Sequence, residues 1–290
     1  MYYFFSLLTG ILISVMIAFN GGLAELYGVY TSTVIIHIVG LVLIAALMLV
    51  KRERPFSKRQ SWFLYLGGAI GVMTTVFNNL SFGRISISAI LALGLFGQSI
   101  IGLIIDQYGW LGMPKHPYHK QKIIGLVLIL GGIAPMINSF DTVAVLASLA
   151  AGAVIVVVRT LGAKLAEFTN IHISTFFNYL VGFVLTIPVF LLLGNNESGF
   201  ANIVISPDWY VYLGGVLGVC VVLLSNMTVA KISAFYLSLL LFIGQIFAGV
   251  LIDALISRSF SPQNLIGGVL VTTGLCVNLL FDRVRMKNRS

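Results

Sequence analysis

The chain has 290 residues, of which 59% are hydrophobic and only 9% charged, and its formal net charge is +8. Soluble domains carry about 25% charged residues. No core built by a chain of this length could hide so much apolar surface, so the solvent is lipid and a soluble enzyme or nucleic-acid-binding module is excluded.

Ten apolar runs follow in order, at roughly 2–23, 31–50, 61–80, 84–105, 121–137, 142–161, 171–193, 208–228, 232–255 and 264–281. Each is near the ~20 residues that a bilayer core of about 30 Å requires. All are predicted helical, because hydrocarbon offers backbone groups no partner outside the segment. The first run lacks a basic leader and has a counterpart in the second half, so it reads as a retained span rather than a cleaved signal. Asn20 and Glu25 end span 1, and His37 lies in span 2, where a group that titrates near neutral pH could couple protons to transport or bond between helices. Span 4 carries Gln98 and ends at Asp106. Span 6 carries Arg159 near its inner end and is followed by Glu167. Span 7 holds Asn178 and Tyr179, and span 9 holds Gln245 and ends at Asp253. Cys220 and Cys276 sit inside apolar runs, without the spacing of a disulfide framework or a metal site. There is no phosphate-binding loop, zinc motif or nucleophile elbow, so no ATP motor, cofactor or enzymatic reaction is expected.

Polar side chains at membrane depth are costly and are functional candidates by default. The amides of Gln98 and Gln245, each near the middle of its span, either bind a polar solute or tie helices together. His37, Tyr179, Asn20 and Asn178 complete the expected binding set. Glu25, Glu167 and Arg159 are the candidates for gating or coupling. Asp106 and Asp253 are expected to close helix ends or pair with a base.

The lysines and arginines fall on one side. With the N-terminus cytoplasmic, inner segments hold fifteen: Lys51, Arg52, Arg54, Lys58, Arg59, Lys115, Lys120, Lys122, Arg159, Lys164, Lys231, Arg283, Arg285, Lys287 and Arg289. The outside keeps Arg84 and Arg258. This asymmetry predicts that both termini are cytoplasmic.

The chain also repeats itself. Trp62 to Val72 recurs as Trp209 to Val219, with seven of eleven positions identical at an offset of 147. The register continues through Gln98/Gln245 and Asp106/Asp253. Upstream, Leu23-Ala24-Glu25 matches Leu165-Ala166-Glu167 at an offset of 142, which also pairs Gly40 with Gly182 and His37 with Tyr179. Five spans per copy is an odd number, so the second copy must insert upside down. The predicted units are 1–138 and 139–290, related by a pseudo-two-fold axis in the membrane plane. Secondary transporters often have this architecture and place the substrate at the repeat interface.

The stretch Gly94-Leu95-Phe96-Gly97-Gln98, continuing through Ile105-Asp106 into the Gly109 to Pro114 loop, resembles the YdcZ-type family of inner-membrane exporters. Gly67-Gly68 with Gly71, Asn20 and Gly40 fit the same pattern. The resemblance covers essentially the whole chain, once per half. It implies the drug/metabolite transporter superfamily, with two five-span units fused and spans 5 and 10 peripheral. The second copy keeps Gly244-Gln245 and Ile252-Asp253 but lacks the loop signature, and Asn20 is matched by Gly162. The mid-helix-1 glutamate of small multidrug-resistance relatives is missing here, since Gly10 to Ser14 occupy that depth.

The expected protein is an all-α, ten-span carrier of a bacterial inner membrane, monomeric or homodimeric. Its partners are the lipid bilayer and a small polar or cationic metabolite, moved by alternating access as spans 1–4 rock against 6–9. The alternative is a membrane binding or lipid-handling protein that transports nothing.

Overall fold

The computed structural model describes residues 1–56, 59–110, 122–137, 140–194, 197, 205–229, 231, 234–258 and 260–287, with side chains except at 106, 122, 229, 234–237 and 282–287. Among them every regular element is helical. In order these are α1 (Tyr2–Tyr27), α2 (Val29–Val50), α3 (Leu66–Ser81), α4 (Ile87–Tyr108), α5 (Lys122–Ile133), α6 (Thr142–Phe168), α7 (Ile171–Leu193), α8 (Gly214–Val229), α9 (Ala234–Ser257) and α10 (Pro262–Lys287). Nine are long and apolar enough to cross a membrane, and the tenth, at Ile123–Met136, is apolar but shorter. The two copies of the repeated segment fold alike, since α3 and α8 are each entered through a 3₁₀ turn, Trp62–Tyr65 and Trp209–Leu213.

Local chemistry sets the helix ends. Ser86, Asp141 and Asn170 cap α4, α6 and α7 by accepting from Ala89 N (3.2 Å), Ala144 N (2.9 Å) and Ile173 N (2.8 Å). α4 ends at left-handed Gly109, whose N–H reaches Ile105 O. A single residue, Gly28 at φ 92°, reverses the chain between α1 and α2, a conformation that favours glycine. The open N-termini beyond it are closed from the other half of the chain. Glu197 accepts from Tyr30 N (3.0 Å) and Thr31 N (2.8 Å) at the start of α2. At the start of α7, Glu53 accepts from Asn170 Nδ2 (3.1 Å) and pairs with His172 Nδ1 (2.9 Å).

The helix pairing is symmetric under exchange of the halves. α1 packs on α9 as α6 packs on α4, and α3 packs on α6 as α8 packs on α1. α2 meets α7, α4 meets α9 and α5 meets α10. In these three self-related pairs one residue number falls as the other rises: Gly40 faces Tyr179 while His37 faces Gly182, Gly125 faces Gly274 while Gly132 faces Gly267, and Ser88 meets Gly249 near Asp253. Antiparallel contact between equivalent helices is what an inverted duplication requires.

The packing units are not the sequence repeats. α1 lies against α2, α8 and α9, and its equivalent α6 lies against α7, α3 and α4, so each repeat lends its first helices to the other half. Glycines make this close approach feasible. A methyl group has no room at Gly10 or Gly244, where α1 meets α9, nor at Gly97 or Gly152, where α4 meets α6. α5 and α10 pack on each other and on α4 and α9, at the periphery.

α6 runs on to Phe168, beyond the apolar run that the sequence indicated, because Arg159 and Lys164 do not interrupt the helix. That extension places Arg159 nine residues, or about 13 Å at 1.5 Å per residue, from the helix end.

Candidate functional site

A cavity of about 150 Å³ lies between the two packing units, lined by α1, α8 and α9 on one side and by α3, α4, α6 and α7 on the other. Gln98 is eleven residues into α4 and Gln245 eleven into α9, entered from opposite membrane faces. At 1.5 Å per residue each stands about 16 Å deep, near the midplane. The antiparallel inversion brings them into one cavity.

Arg159 Nη1 donates to Gln98 Oε1 at 3.0 Å. This contact fixes both side chains on the α4–α6 face and gives Gln98 an interhelical bond as well as a place in the wall. Asn78, Thr74, Ser174, Asn178, Ser225 and Asn226 add amide and hydroxyl groups. Gln245 is 3% exposed, and its Nε2 has no hydrogen-bond partner, nor does Thr74 Oγ1. Unpaired donors in a low-dielectric wall carry a desolvation cost that a bound polar group would relieve. Among the described residues no carboxylate lines the cavity.

Of the sequence candidates, Gln98, Gln245, Asn178 and Arg159 come together here. His37, Tyr179 and Asn20 do not, and α2 contributes nothing to the lining. His37 is buried in helix contacts. Its Nδ1 lies 2.7 Å from Thr33 O one turn back, and its ring lies beside that of Tyr179. Tyr179 fills the space over Gly40 and Gly218 and donates to Gly215 O at 3.4 Å. Asn20 is packed against Gly214. Glu167 is exposed at the C-terminal end of α6, away from the cavity lining.

Glu25 lines a different space, a crevice of about 700 Å³ between the ends of α1 and α9. Leu255 and Ile256 on its rim are largely exposed, as lipid-facing side chains are. Asp253, also in that crevice, closes a helix end: it accepts from Ile87 N (2.7 Å) and Ser88 N (2.9 Å) at the start of α4. The side chain of its repeat partner, Asp106, is outside the described residues. Sequence reasoning gave no weight to Thr74, Ser174 and Ser225 in the cavity wall. Hydroxyls that bond their own helix are common in membrane spans, and nothing in the sequence marks these three.

Several equivalent positions in the two repeats differ in burial. Asn20 is buried where Gly162 is partly exposed, and Asn79 is buried where Asn226 is partly exposed. Leu91, Ala92 and Leu93 are buried where Ser238, Leu239 and Leu240 are partly exposed. The buried members lie on the side away from the N-terminus, where Asn79 Nδ2 also donates to Ser32 Oγ at 3.1 Å.

An all-helical polytopic bundle of two inverted repeats around a polar midplane cavity defines a membrane transporter of the drug/metabolite type. The chain belongs to the family described as "Putative inner membrane exporter, YdcZ", whose model matches it twice, over residues 1–134 and 143–277. No curated protein sequence matches it. A protein known from a crystal structure is similar in fold, with 16% identity, 96% of each chain covered and a TM-score of 0.65. At that identity the likeness establishes the fold alone.

Proposed function

We propose that this protein moves a small polar solute through the central cavity by alternating access, with both termini cytoplasmic. The observation that carries the reading is the burial difference between repeat-related positions. Two inverted halves of one fold have two equivalent ways to close, one gate at a time. In the present state the far gate is shut around Asn20, Asn79 and Leu91, and the equivalent residues on the N-terminal side are looser. Exchange of the two arrangements would carry the cavity from one face to the other.

In this reading the moving parts are the α1/α2/α8/α9 and α3/α4/α6/α7 groups, which draw helices from both repeats. The cavity lies on their common boundary, bridged mainly by the α2–α7 and α4–α9 contacts. With the N-terminus cytoplasmic, the looser face is the cytoplasmic one, where an exporter loads.

Flux into proteoliposomes, measured over a panel of small polar metabolites, tests this. The Gln98→Leu/Gln245→Leu double variant, folded by gel filtration and thermal unfolding, should lose at least about tenfold in flux, as expected when about 1.4 kcal/mol of binding is removed. Unchanged flux in that variant rules out the cavity as the route.

A further inference from the structure

We propose that the solute carried in the central cavity is a small monocarboxylate anion and that Arg159 is its recognition residue. The proposal rests on the transport reading and adds the charge of the cargo.

The repeat partner of Arg159 is Ile17, so the duplication does not account for a cation at this depth. Arg159 is the one charged group among the described lining residues. Its hydrogen bond to Gln98 Oε1 engages one of five N–H donors and, because an amide is neutral, compensates no charge. A guanidinium kept in low dielectric without a counter-ion is costly, and a bound anion removes that cost. The rest of the wall supplies donors, with Gln245 Nε2 and Thr74 Oγ1 unpaired and Asn78, Asn178 and Asn226 presenting amides.

Charge and size narrow the class. One positive charge is neutralised by one negative charge, and a dianionic phosphate would leave a net charge in the cavity. An amino-acid zwitterion would find no carboxylate for its ammonium group, and a cation would be repelled. The flat carboxylate matches the guanidinium fork, and a cavity of about 150 Å³ suits a small one.

The test has two arms, in a Cys220→Ser/Cys276→Ser background. In the first, Ser225→Cys places a thiol in the cavity wall, and its modification by a sulfonate-bearing and a trimethylammonium-bearing methanethiosulfonate is timed. Each rate is normalised to that of the same reagent with free mercaptoethanol. Attraction of the sulfonate and repulsion of the ammonium by the Arg159 charge in the same cavity predict a bias of at least about tenfold toward the sulfonate. Arg159→Gln should abolish the bias and Arg159→Lys should keep it. In the second arm, proteoliposome flux is compared for acetate, glycolate, lactate and pyruvate against choline and glycerol.

Monocarboxylate flux that falls at least about tenfold in Arg159→Gln, together with the bias, establishes the proposal. Choline or glycerol flux that Arg159→Gln leaves intact, or equal normalised rates with and without Arg159, overturns the anion assignment and leaves the transport reading standing. A clear bias with no flux of any probe overturns transport, and with it a carried solute, while retaining an anion site.

Discussion

His37 and Tyr179 occupy the same position of the two repeats and lie against each other, ring centroids 6.0 Å apart, where α2 crosses α7. The pseudo-two-fold axis passes between them. Each ring covers a glycine of the other repeat, Tyr179 over Gly40 and His37 beside Gly182, and neither glycine has room for a methyl group. Gly40→Ala and Gly182→Ala should each destabilise the protein by about 1–3 kcal/mol through overpacking. Thermal unfolding in detergent measures the loss, and an unchanged melting temperature would show that the α2–α7 contact yields freely.

The gate difference is directly measurable. In a background with both cysteines replaced by serine, Asn226→Cys should react with a membrane-impermeant maleimide from the N-terminal side. Asn79→Cys, its repeat partner, should be protected from the opposite side. The rate ratio should be on the order of tenfold, as a state preference of about 1.4 kcal/mol gives. Equal reactivity of the two positions is the result that the two-gate reading does not allow.

Asp253 holds the start of α4 from another helix by accepting from two consecutive backbone amides. Asp253→Ala leaves those amides open and should cost about 1–2 kcal/mol, the range of a lost N-cap. Asp253→Asn keeps an acceptor and should cost less. Both are read from unfolding curves. If alanine and asparagine are equally disruptive, the negative charge rather than the cap geometry is what matters.

The α5–α10 pair should be separable from transport. A methyl group at Gly132 would press on Gly267 O and Val271 N across the pair, yet neither helix lines the cavity. Gly132→Ala is therefore expected to lower the melting temperature by an amount equivalent to about 1–3 kcal/mol. Flux per folded molecule, measured in proteoliposomes, should stay as it was. A selective loss of flux would give the outer pair a part in the conformational cycle.

Lipid as solvent, ten apolar helices, the duplication and its inversion are all legible in the sequence. Each depends on quantities that accumulate along the chain: hydropathy, the side on which basic residues fall, and a register offset that holds without a gap. Depth is legible too, and it is depth that singles out Gln98 and Gln245 among the polar residues. Depth does not fix azimuth or partner, however. His37 and Gln98 are both polar groups inside spans. Only the tertiary structure decided that one turns toward its own repeat image while the other faces the cavity. The exchange of helices between halves puts α1 against α9 and α6 against α4, and glycine contacts between distant segments set that pairing. The same exchange made a cavity-facing group of Arg159, which the sequence placed near a span end as a candidate for gating or coupling, because α6 continues past it and turns its guanidinium toward Gln98.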